Sequence, residues 1–209
     1  MLSPTAIQKI LNSYQIAVPG TVATQIAAYS ELLFKWNRRI SLTSIVDPEE
    51  IVRQHFAESI LGALIARKFE GRLADVGTGA GFPGLALKIY VPSLSVTLIE
   101  SNAKKCAFLG EVVRSLRLES VEVLRSRFED VRRPDTPFDT VTSRALGDIP
   151  AFLDWAAKAV GTSGRVMLWV GPEGVKDGLA DENWTWHDPY QIPRTKRRFI
   201  LVGSLKERG

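Results

Sequence analysis

The sequence is poor in the residues from which disulfides, zinc sites and membrane spans are built. Its 209 residues include one cysteine, Cys106, and two histidines, His55 and His187. This set excludes an internal disulfide and is too small for an ordinary structural zinc site, so we expect no metal centre. The longest apolar runs, such as 60–66, fall far short of the roughly 20 residues of a membrane span. Because no basic start with an apolar segment and a small-residue cleavage site is present either, we expect a cytoplasmic protein that does not enter a membrane.

Composition and charge are those of an ordinary globular protein. Apolar residues make up 45% of the chain and charged residues 24%, which argues against disorder and coiled coil. The net charge of +4 is mild, but basic residues concentrate near the C-terminus. Six of them lie in 193–209 against a single acid: Arg194, Lys196, Arg197, Arg198, Lys206 and Arg208. Such a cluster permits a nucleic-acid partner and is equally typical of a solvated surface.

The apolar pattern changes near residue 70. Before this point apolar residues recur at helical spacing, as at Val22, Ile26, Tyr29, Leu33 and Trp36. After it, short β-like runs alternate with helical stretches, which predicts a parallel sheet covered on both faces. The expected strands are 72–76, 95–99, 121–124, 140–143, 165–170 and 199–202, and the expected helices 84–90, 103–116 and 149–159. We expect an α/β, doubly wound fold in one structural domain, with residues 71–209 as the core and residues 1–70 as an N-terminal helical extension.

A glycine-rich loop joins the first expected strand to the helix that follows it. It reads D-V-G-T-G-A-G-F-P-G over 75–84. Strand, loop and helix in this order are typical of a nucleotide-cofactor site. Gly79, Gly81 and Gly84 fit the dinucleotide fingerprint, and Gly77, Gly79 and Gly81 fit the pattern of S-adenosylmethionine enzymes, so the glycine spacing by itself leaves both cofactor classes open.

Three residues around the glycines favour S-adenosylmethionine as the cofactor. Pro83 has no N–H to offer a pyrophosphate at the helix N-terminus. Asp75 suits a positively charged sulfonium and amino group better than a phosphate. Glu100 ends the second expected strand, where a carboxylate accepts hydrogen bonds from ribose hydroxyls.

The region after the fourth expected strand bears on the atom that is methylated. Methylation of an exocyclic amine usually relies on a D/N-P-P-Y/F motif there, whereas this chain reads T-S-R-A from Thr142, and Asp188-Pro189-Tyr190 is interpreted as a loop. Methylation of cytosine C5 needs a cysteine nucleophile near the fourth or fifth strand, and Cys106 lies on an earlier helix. Guanine N7 already carries an in-plane lone pair, so its methylation requires positioning and no general base.

Four segments of the chain carry one family pattern. W-N-R-R-I-S-L-T from Trp36 is similar to W-N-K-x-x-N-L-T, and H-F-A-E-S from His55 is similar to H-x-x-D-S. The loop resembles D-V-G-[ST]-G-x-G-x-P-G, and Ser143-Arg144-Ala145 resembles S/A-R-A. Together they resemble the bacterial small-subunit rRNA guanine-N7 methyltransferases, also called the glucose-inhibited division protein B family. The resemblance implies a class I S-adenosylmethionine-dependent methyltransferase, a Rossmann-like sheet whose last strand is antiparallel, and 16S rRNA or the small ribosomal subunit as substrate.

The resemblance also implies which residues contact the cofactor: Gly77, Phe82, Glu100, Ser101, Asn102, Phe128, Glu129 and Arg144. An apolar wall and an acceptor after the third strand, at Phe128 and Glu129, suit an adenine. Arg144 suits the donor's carboxylate or an RNA phosphate, with a structural salt bridge as the alternative. We expect catalysis by positioning; Arg144 and His55 are the candidates for a direct part, and a packed histidine is the alternative for His55.

The chain departs from the family pattern at three positions. Ser41 replaces an asparagine, Glu58 replaces an aspartate, and Val170 stands where a lysine is common. RNA contacts after residue 150 are therefore open, and we expect RNA binding from Arg38, Arg39, Arg53, Arg194, Lys196, Arg197 and Arg198. Two alternatives remain at this point: a class I methyltransferase acting on a small molecule or protein, and a non-catalytic ribosome-binding module. A monomer is expected.

Overall fold

The structure, a computed structural model, describes residues 2–66, 69–132, 134–144 and 147–206. Ala145 of the family segment and Arg208 of the basic cluster lie outside the described residues. The helices are α1 Pro4–Asn12, α2 Gly20–Asn37, α3 Pro48–Ile51, α4 Glu58–Ile65, α5 Gly84–Tyr90, α6 Ala103–Ser115, α7 Ile149–Ala159 and α8 Pro172–Leu179. A π-helical segment, Val52–Ala57, joins α3 to α4, and a 3-10 turn covers Phe128–Asp130.

The strands form one mixed sheet. They are β1 Arg72–Val76, β2 Ser95–Glu100, β3 Val121–Arg125, β4 Phe138–Arg144, β5 Val160–Val170, β6 Trp184–Trp186, β7 Tyr190–Gln191 and β8 Phe199–Leu205. Their order is β3-β2-β1-β4-β5-β8-β6, with β7 also paired to β8. Strands β1 to β5 are parallel, whereas β8 is antiparallel to β5. The doubly wound sheet with an antiparallel last strand is confirmed.

The strand order reverses between β1 and β4, which lie side by side in the middle of the sheet. Open α/β sheets bind ligands in the crevice at this switch point, outside the carboxyl ends of the strands. Glu100 at the end of β2 and Arg144 at the end of β4 therefore lie on the same edge of the sheet.

Several boundaries expected from the sequence were wrong. Strands β4 and β5 begin earlier, at Phe138 and Val160, and α6 ends at Ser115. Tyr190, assigned to a loop, lies in the two-residue strand β7. Strands this short show no alternation of apolar and polar residues, so their pairing with β8 is invisible in the pattern. Helix α8 was missed because its eight residues include two glycines, which disfavour a helix.

The N-terminal helices share an apolar core with one face of the sheet. Ile7, Ile26 and Leu33, from α1 and α2, are fully buried and belong to the same cluster as Leu85 and Leu98. A second cluster lies between the other face of the sheet and α7. Among the helices that the structure describes, none is long and apolar enough to cross a bilayer.

Candidate active site

The glycine loop after β1 depends on three left-handed backbone conformations. Gly77, Gly79 and Gly81 have φ angles of 64°, 58° and 88°, a region that residues with a Cβ rarely adopt. At Gly81 the lack of a side chain is also a steric requirement, because a Cβ would lie 2.2 Å from Oη of Tyr29. At Gly79 the nearest atom to a Cβ would be 3.8 Å away. Gly81 is thus packed inward, and Gly79 borders open space.

Asp75 stabilises the conformation of this loop through hydrogen bonds from its buried side. It is fully buried. Its Oδ2 accepts hydrogen bonds from Thr78 Oγ1 and from the Gly84 N–H, and its Oδ1 accepts one from Thr142 Oγ1 at 3.0 Å. Burial raises the pKa of Asp75 to about 6, against the effect of these hydrogen bonds. The geometry therefore shows Asp75 shaping the loop on which the predicted cofactor site depends.

Glu100 is held at the end of β2 by main-chain donors. Its Oε2 accepts from the Gly79 N–H at 3.0 Å and its Oε1 from the Asn102 N–H at 2.8 Å. Only 7% of the residue is exposed. Because each carboxylate oxygen has two lone pairs, both oxygens still have acceptor capacity for further donors. Asn102 also caps α6, with its Oδ1 accepting from the Lys104 and Lys105 N–H groups.

A cavity of about 220 Å³ opens beside Glu100, and we call it the Glu100 cavity. It brings together five of the residues predicted to contact a cofactor: Gly77, Glu100, Ser101, Phe128 and Glu129. The ring of Phe128 is fixed edge-on against Phe152 and Trp155, at centroid distances of 6.2 Å and 5.9 Å. The cavity thus combines carboxylate acceptors with one rigid aromatic wall.

Phe82 and His55 lie in a stack of rings behind the loop. The Phe82 ring lies between the rings of His55 and Tyr29, at centroid distances of 4.5 Å and 5.3 Å. The structure therefore places the Phe82 side chain in the core, away from the residues that line the Glu100 cavity. Like the Asp75 side chain, the Phe82 ring packs against the buried side of the loop.

His55 is buried, and its surroundings disfavour the charged imidazolium. Its Nε2 lies 2.9 Å from Thr43 Oγ1, while its Nδ1 has no hydrogen-bond partner among the described residues. Burial, together with the positive charges of Arg144 and Arg198, lowers its pKa to about 3. A group with this pKa is a poor general base near neutrality. The geometry favours the packed histidine over a direct catalytic one.

Asn37 explains why the first family segment matters, a role that the sequence analysis missed. Its Oδ1 accepts from the N–H groups of Leu42 and Thr43, and its Nδ2 donates to the Thr43 carbonyl. This clamp closes the turn after α2 and presents the Thr43 hydroxyl to His55. The first two family segments therefore form one hydrogen-bonded unit.

Glu58 is the centre of a second charged group. Its Oε1 lies 2.9 Å from Nη1 of Arg198, and its Oε2 lies 3.9 Å from Nη2 of Arg144. Both arginines also bind Gln54: Arg144 Nη1 donates to its carbonyl at 2.9 Å and Arg198 Nη1 to its Oε1 at 2.7 Å. Burial raises the pKa of Glu58 to about 7, while the two guanidinium groups act in the opposite direction.

A second cavity, of about 470 Å³, opens beside these charges, and we call it the Glu58 cavity. It lies at the carboxyl ends of β4 and β5, where Arg144, Trp169 and Val170 line it. The indole N–H of Trp169 donates to the Glu58 carbonyl at 2.7 Å, which fixes this wall to α4. In the sheet, β1 and its glycine loop separate β2 from β4, so the two cavities flank the loop.

The predicted RNA-binding residues fall into two groups. Arg53 pairs with Glu49 and Glu50, Arg198 pairs with Glu58, and Arg194 lies 5.1 Å from the Tyr14 ring. The other group is exposed, and its side chains have no ionic or hydrogen-bond partner in the part of the chain that the structure describes. Its members are Arg38, Arg39, Lys196 and Arg197.

A family model and individual relatives point to the same family of proteins. Residues 22–187 match the model of the family described as rRNA small subunit methyltransferase G. The chain is similar to the ribosomal RNA small subunit methyltransferase G of Roseiflexus castenholzii, with 40% identity over 93% of this chain and 88% of that one. It is also similar to the enzyme of the same name from Desulfitobacterium hafniense, with 38% identity over 78% of this chain and 68% of the relative.

Solved structures show the same fold at low identity. A SAM-dependent methyltransferase from Aquifex aeolicus superposes with a TM-score of 0.62 at 20% identity, covering 76% of this chain and 94% of the other. A ribosomal protein L11 methylase from Lactobacillus delbrueckii has a TM-score of 0.58 at 20% identity, with 74% and 79% covered. These likenesses establish the class I methyltransferase fold.

Proposed function

The chain belongs to the rRNA small subunit methyltransferase G family, and on this premise we propose that it transfers a methyl group from S-adenosylmethionine to N7 of a guanine in 16S rRNA. The observation that carries the proposal is the Glu100 cavity, which places acidic acceptors and an aromatic wall directly beside a glycine loop at the switch point of the sheet. Ligands of open α/β sheets bind at this place.

The residues around the Glu100 cavity fit S-adenosylmethionine. At about 220 Å³ the cavity is smaller than the roughly 300–1,000 Å³ of sites for drug-sized ligands, so it suits the adenosine part of the donor. Glu100 accepts from the ribose hydroxyls, while Phe128 and Glu129 contact the adenine. The open side of Gly79 leaves room for the methionine part along the loop. When bound, S-adenosylmethionine supplies an electrophilic methyl group on a sulfonium.

The proposed function assigns the binding of the methyl acceptor, the guanine, to the Glu58 cavity. It opens on the other side of the loop, at the ends of β4 and β5. Arg144 borders it and donates to Gln54, so it faces the acceptor side. No general base is required for guanine N7, and the lowered pKa of His55 agrees with this. The protein acts by holding N7 in line with the sulfonium.

A methylation assay tests this function. Purified protein, S-adenosylmethionine labelled in its methyl group, and small ribosomal subunits from a strain deleted for this gene are incubated together, with deproteinised 16S rRNA in parallel. Mass mapping of nuclease digests is expected to find one 7-methylguanosine. Label in metabolites or proteins alone would favour the first alternative. Calorimetry without S-adenosylmethionine binding would favour a non-catalytic ribosome-binding module.

The proposed substrate form and oligomeric state are tested with the same sample. We expect a monomer, and sedimentation of the free protein and of the protein mixed with subunits measures it. The ratio of methylation rates on assembled subunits and on free 16S rRNA identifies the form that is recognised.

A further inference from the structure

Glu58 is a buried carboxylate that nevertheless faces a cavity. Only 3% of its side chain is exposed, and Glu58 is among the residues that line the Glu58 cavity. Its Oε1 is paired with Arg198 at 2.9 Å. The 3.9 Å from its Oε2 to Arg144 is too long for a hydrogen bond. A carboxylate has about four lone-pair sites, so Glu58 retains acceptor capacity that the described residues do not use.

Stability alone is a weak reason for this arrangement. A buried ion pair costs desolvation energy, and apolar residues of similar size often stabilise a fold as well or better. Burial has raised the pKa of Glu58 although two guanidinium groups, those of Arg144 and Arg198, face it, together with the more distant Glu50. Ionisable groups with such perturbed pKa values, in a cleft, are typical of functional sites.

The chemistry of the Glu58 cavity suits a flat, hydrogen-bonding ligand. Its walls include the apolar side chains of Ile149, Trp169, Val170 and Phe199. Among the four RNA bases, only guanine presents two adjacent donors, N1–H and the N2 amine, on one edge. A carboxylate, with two acceptor oxygens side by side, is the matching partner for this edge.

We infer that Glu58 is the guanine-recognition residue, with its carboxylate accepting hydrogen bonds from N1–H and N2–H of the base that is methylated. The inference rests on the proposed function. Guanine N7 lies on the opposite side of the base from this edge, so the contact leaves the N7 lone pair free. Arg198 and Arg144 keep the carboxylate in place for the base.

This contact contributes to rate as well as to specificity. In the transfer, the N7 lone pair forms the new N–C bond, the C–S bond breaks with its electron pair passing to sulfur, and no proton moves. The positive charge of the sulfonium thereby passes to the guanine ring, which makes N1–H more acidic. Its hydrogen bond to the carboxylate therefore strengthens in the transition state, and only such interactions accelerate the chemical step.

A double-mutant cycle between protein and RNA tests the inference. The methylated guanosine, once mapped, is replaced by inosine in ligated 16S rRNA; inosine lacks the N2 amine and retains N7 and N1–H. For the wild-type protein we expect inosine to lower kcat/KM by about 10- to 150-fold, as for a lost hydrogen bond to a charged group. In Glu58→Gln we expect activity on guanine to fall and the inosine penalty to shrink to about twofold or less.

Glu173→Gln is the matched control, because it makes the same change at another carboxylate of the same cavity. Glu173 is 80% exposed and pairs with Lys176 at 3.2 Å. We expect its inosine penalty to equal that of the wild type within about twofold. S-adenosylmethionine affinity and thermal unfolding are measured for every variant. If Glu58→Gln does not fold, Glu58→Leu takes its place; it removes both acceptor oxygens, so a smaller inosine penalty is again expected.

Two results would overturn the inference: an inosine penalty below about threefold in the wild type, or equal penalties in the wild type and the Glu58 variant, as for a purely structural carboxylate. Failure of the proposed function is distinguishable, because the wild type would then methylate no guanine of 16S rRNA in the first place.

Discussion

The two cavities at the carboxyl edge of the sheet hold their acids in different ways. Glu100 is fixed by main-chain N–H groups, those of Gly79 and Asn102, which every residue type except proline supplies. Glu58 is fixed by the side chains of Arg144 and Arg198, which come from the far parts of the chain. The first site therefore depends on backbone conformation, and the second on the identity of particular distant residues. Substitutions in the two cavities should therefore change different measured quantities.

The largest effect is expected where the glycine loop is packed. Gly81→Ala should lower the free energy of unfolding by about 2 to 5 kcal/mol. Left-handed backbone with a Cβ costs roughly 1–2 kcal/mol, and overpacking adds about 1–3 kcal/mol, because the new Cβ would lie 2.2 Å from the buried Tyr29 hydroxyl. Urea unfolding followed by tryptophan fluorescence measures this loss.

Gly79→Ala is the control for Gly81, since it adds the same methyl group two residues earlier. Its Cβ would meet nothing closer than 3.8 Å, so only the backbone cost of roughly 1–2 kcal/mol is expected. S-adenosylmethionine affinity should fall nonetheless, because the methyl group enters the space beside the donor. Equal unfolding losses for the two variants would contradict the distinction between a packed and an open glycine.

The next effect separates the two acids. Glu100→Ala should weaken S-adenosylmethionine binding by about 1.5 to 3 kcal/mol, the usual contribution of hydrogen bonds to a charged group. Glu58→Gln, on the other side of the loop, should change donor affinity by less than about 0.5 kcal/mol, as expected for a distant site. Isothermal titration of both variants measures this. A loss of donor affinity of the same size in Glu58→Gln would mean that the donor also reaches the Glu58 cavity.

The sequence was informative about the first cavity and much less so about the second. Residues 75–84, Glu100 and Phe128 follow consecutive strands, so the rule that parallel strands present their carboxyl ends at one edge suffices to bring them together. Arg198 was assigned to a basic cluster because nothing in a linear pattern shows that β8 returns beside β5 and carries this residue to Glu58. The direction of the Phe82 side chain could not be predicted, for a related reason. The motif shows only where Phe82 stands in the chain. The direction of its ring is set by Tyr29 and His55 from the N-terminal helices.

The third prediction concerns pH, and His55 and Glu58 act with opposite signs. The pKa of His55 falls from 6.5 to about 3 on folding, so the unfolded chain binds more protons between these values. Its contribution to stability is therefore lost as the pH falls below about 6.5. The pKa of Glu58 rises from 4.5 to about 7, so its contribution grows as the pH falls over that range and is lost as the pH rises through 7.

Comparing a histidine variant with the wild type measures the contribution of His55 to the pH dependence of stability. From pH 6.5 to pH 5, His55→Gln should gain up to about 2 kcal/mol of unfolding free energy relative to the wild type, since one unit of pKa corresponds to about 1.4 kcal/mol. Urea unfolding at several pH values measures this difference. A difference that does not depend on pH would mean that folding leaves the pKa of His55 unchanged, and a catalytic role would again have to be considered.

The smallest effect concerns the basic residues near the C-terminus, and it divides them by their partners. Lys196 and Arg197 are exposed and without a partner in the described part of the chain, whereas Arg198 is paired with Glu58 and Arg194 lies against Tyr14. We expect Lys196 and Arg197 to bind RNA phosphates and the paired arginines not to. The double variant Lys196→Ser, Arg197→Ser should then reduce the slope of log affinity against log salt by about 1.4 to 1.8, or roughly 0.7–0.9 for each phosphate released. Filter binding of 16S rRNA between about 50 and 200 mM salt measures the slope, and Arg194→Ser with Arg198→Ser is the matched double variant. An equal reduction in the second pair would show that Arg194 and Arg198 exchange their partners for phosphates on binding, and the Glu58 carboxylate would then lose its closest counter-charge when RNA arrives.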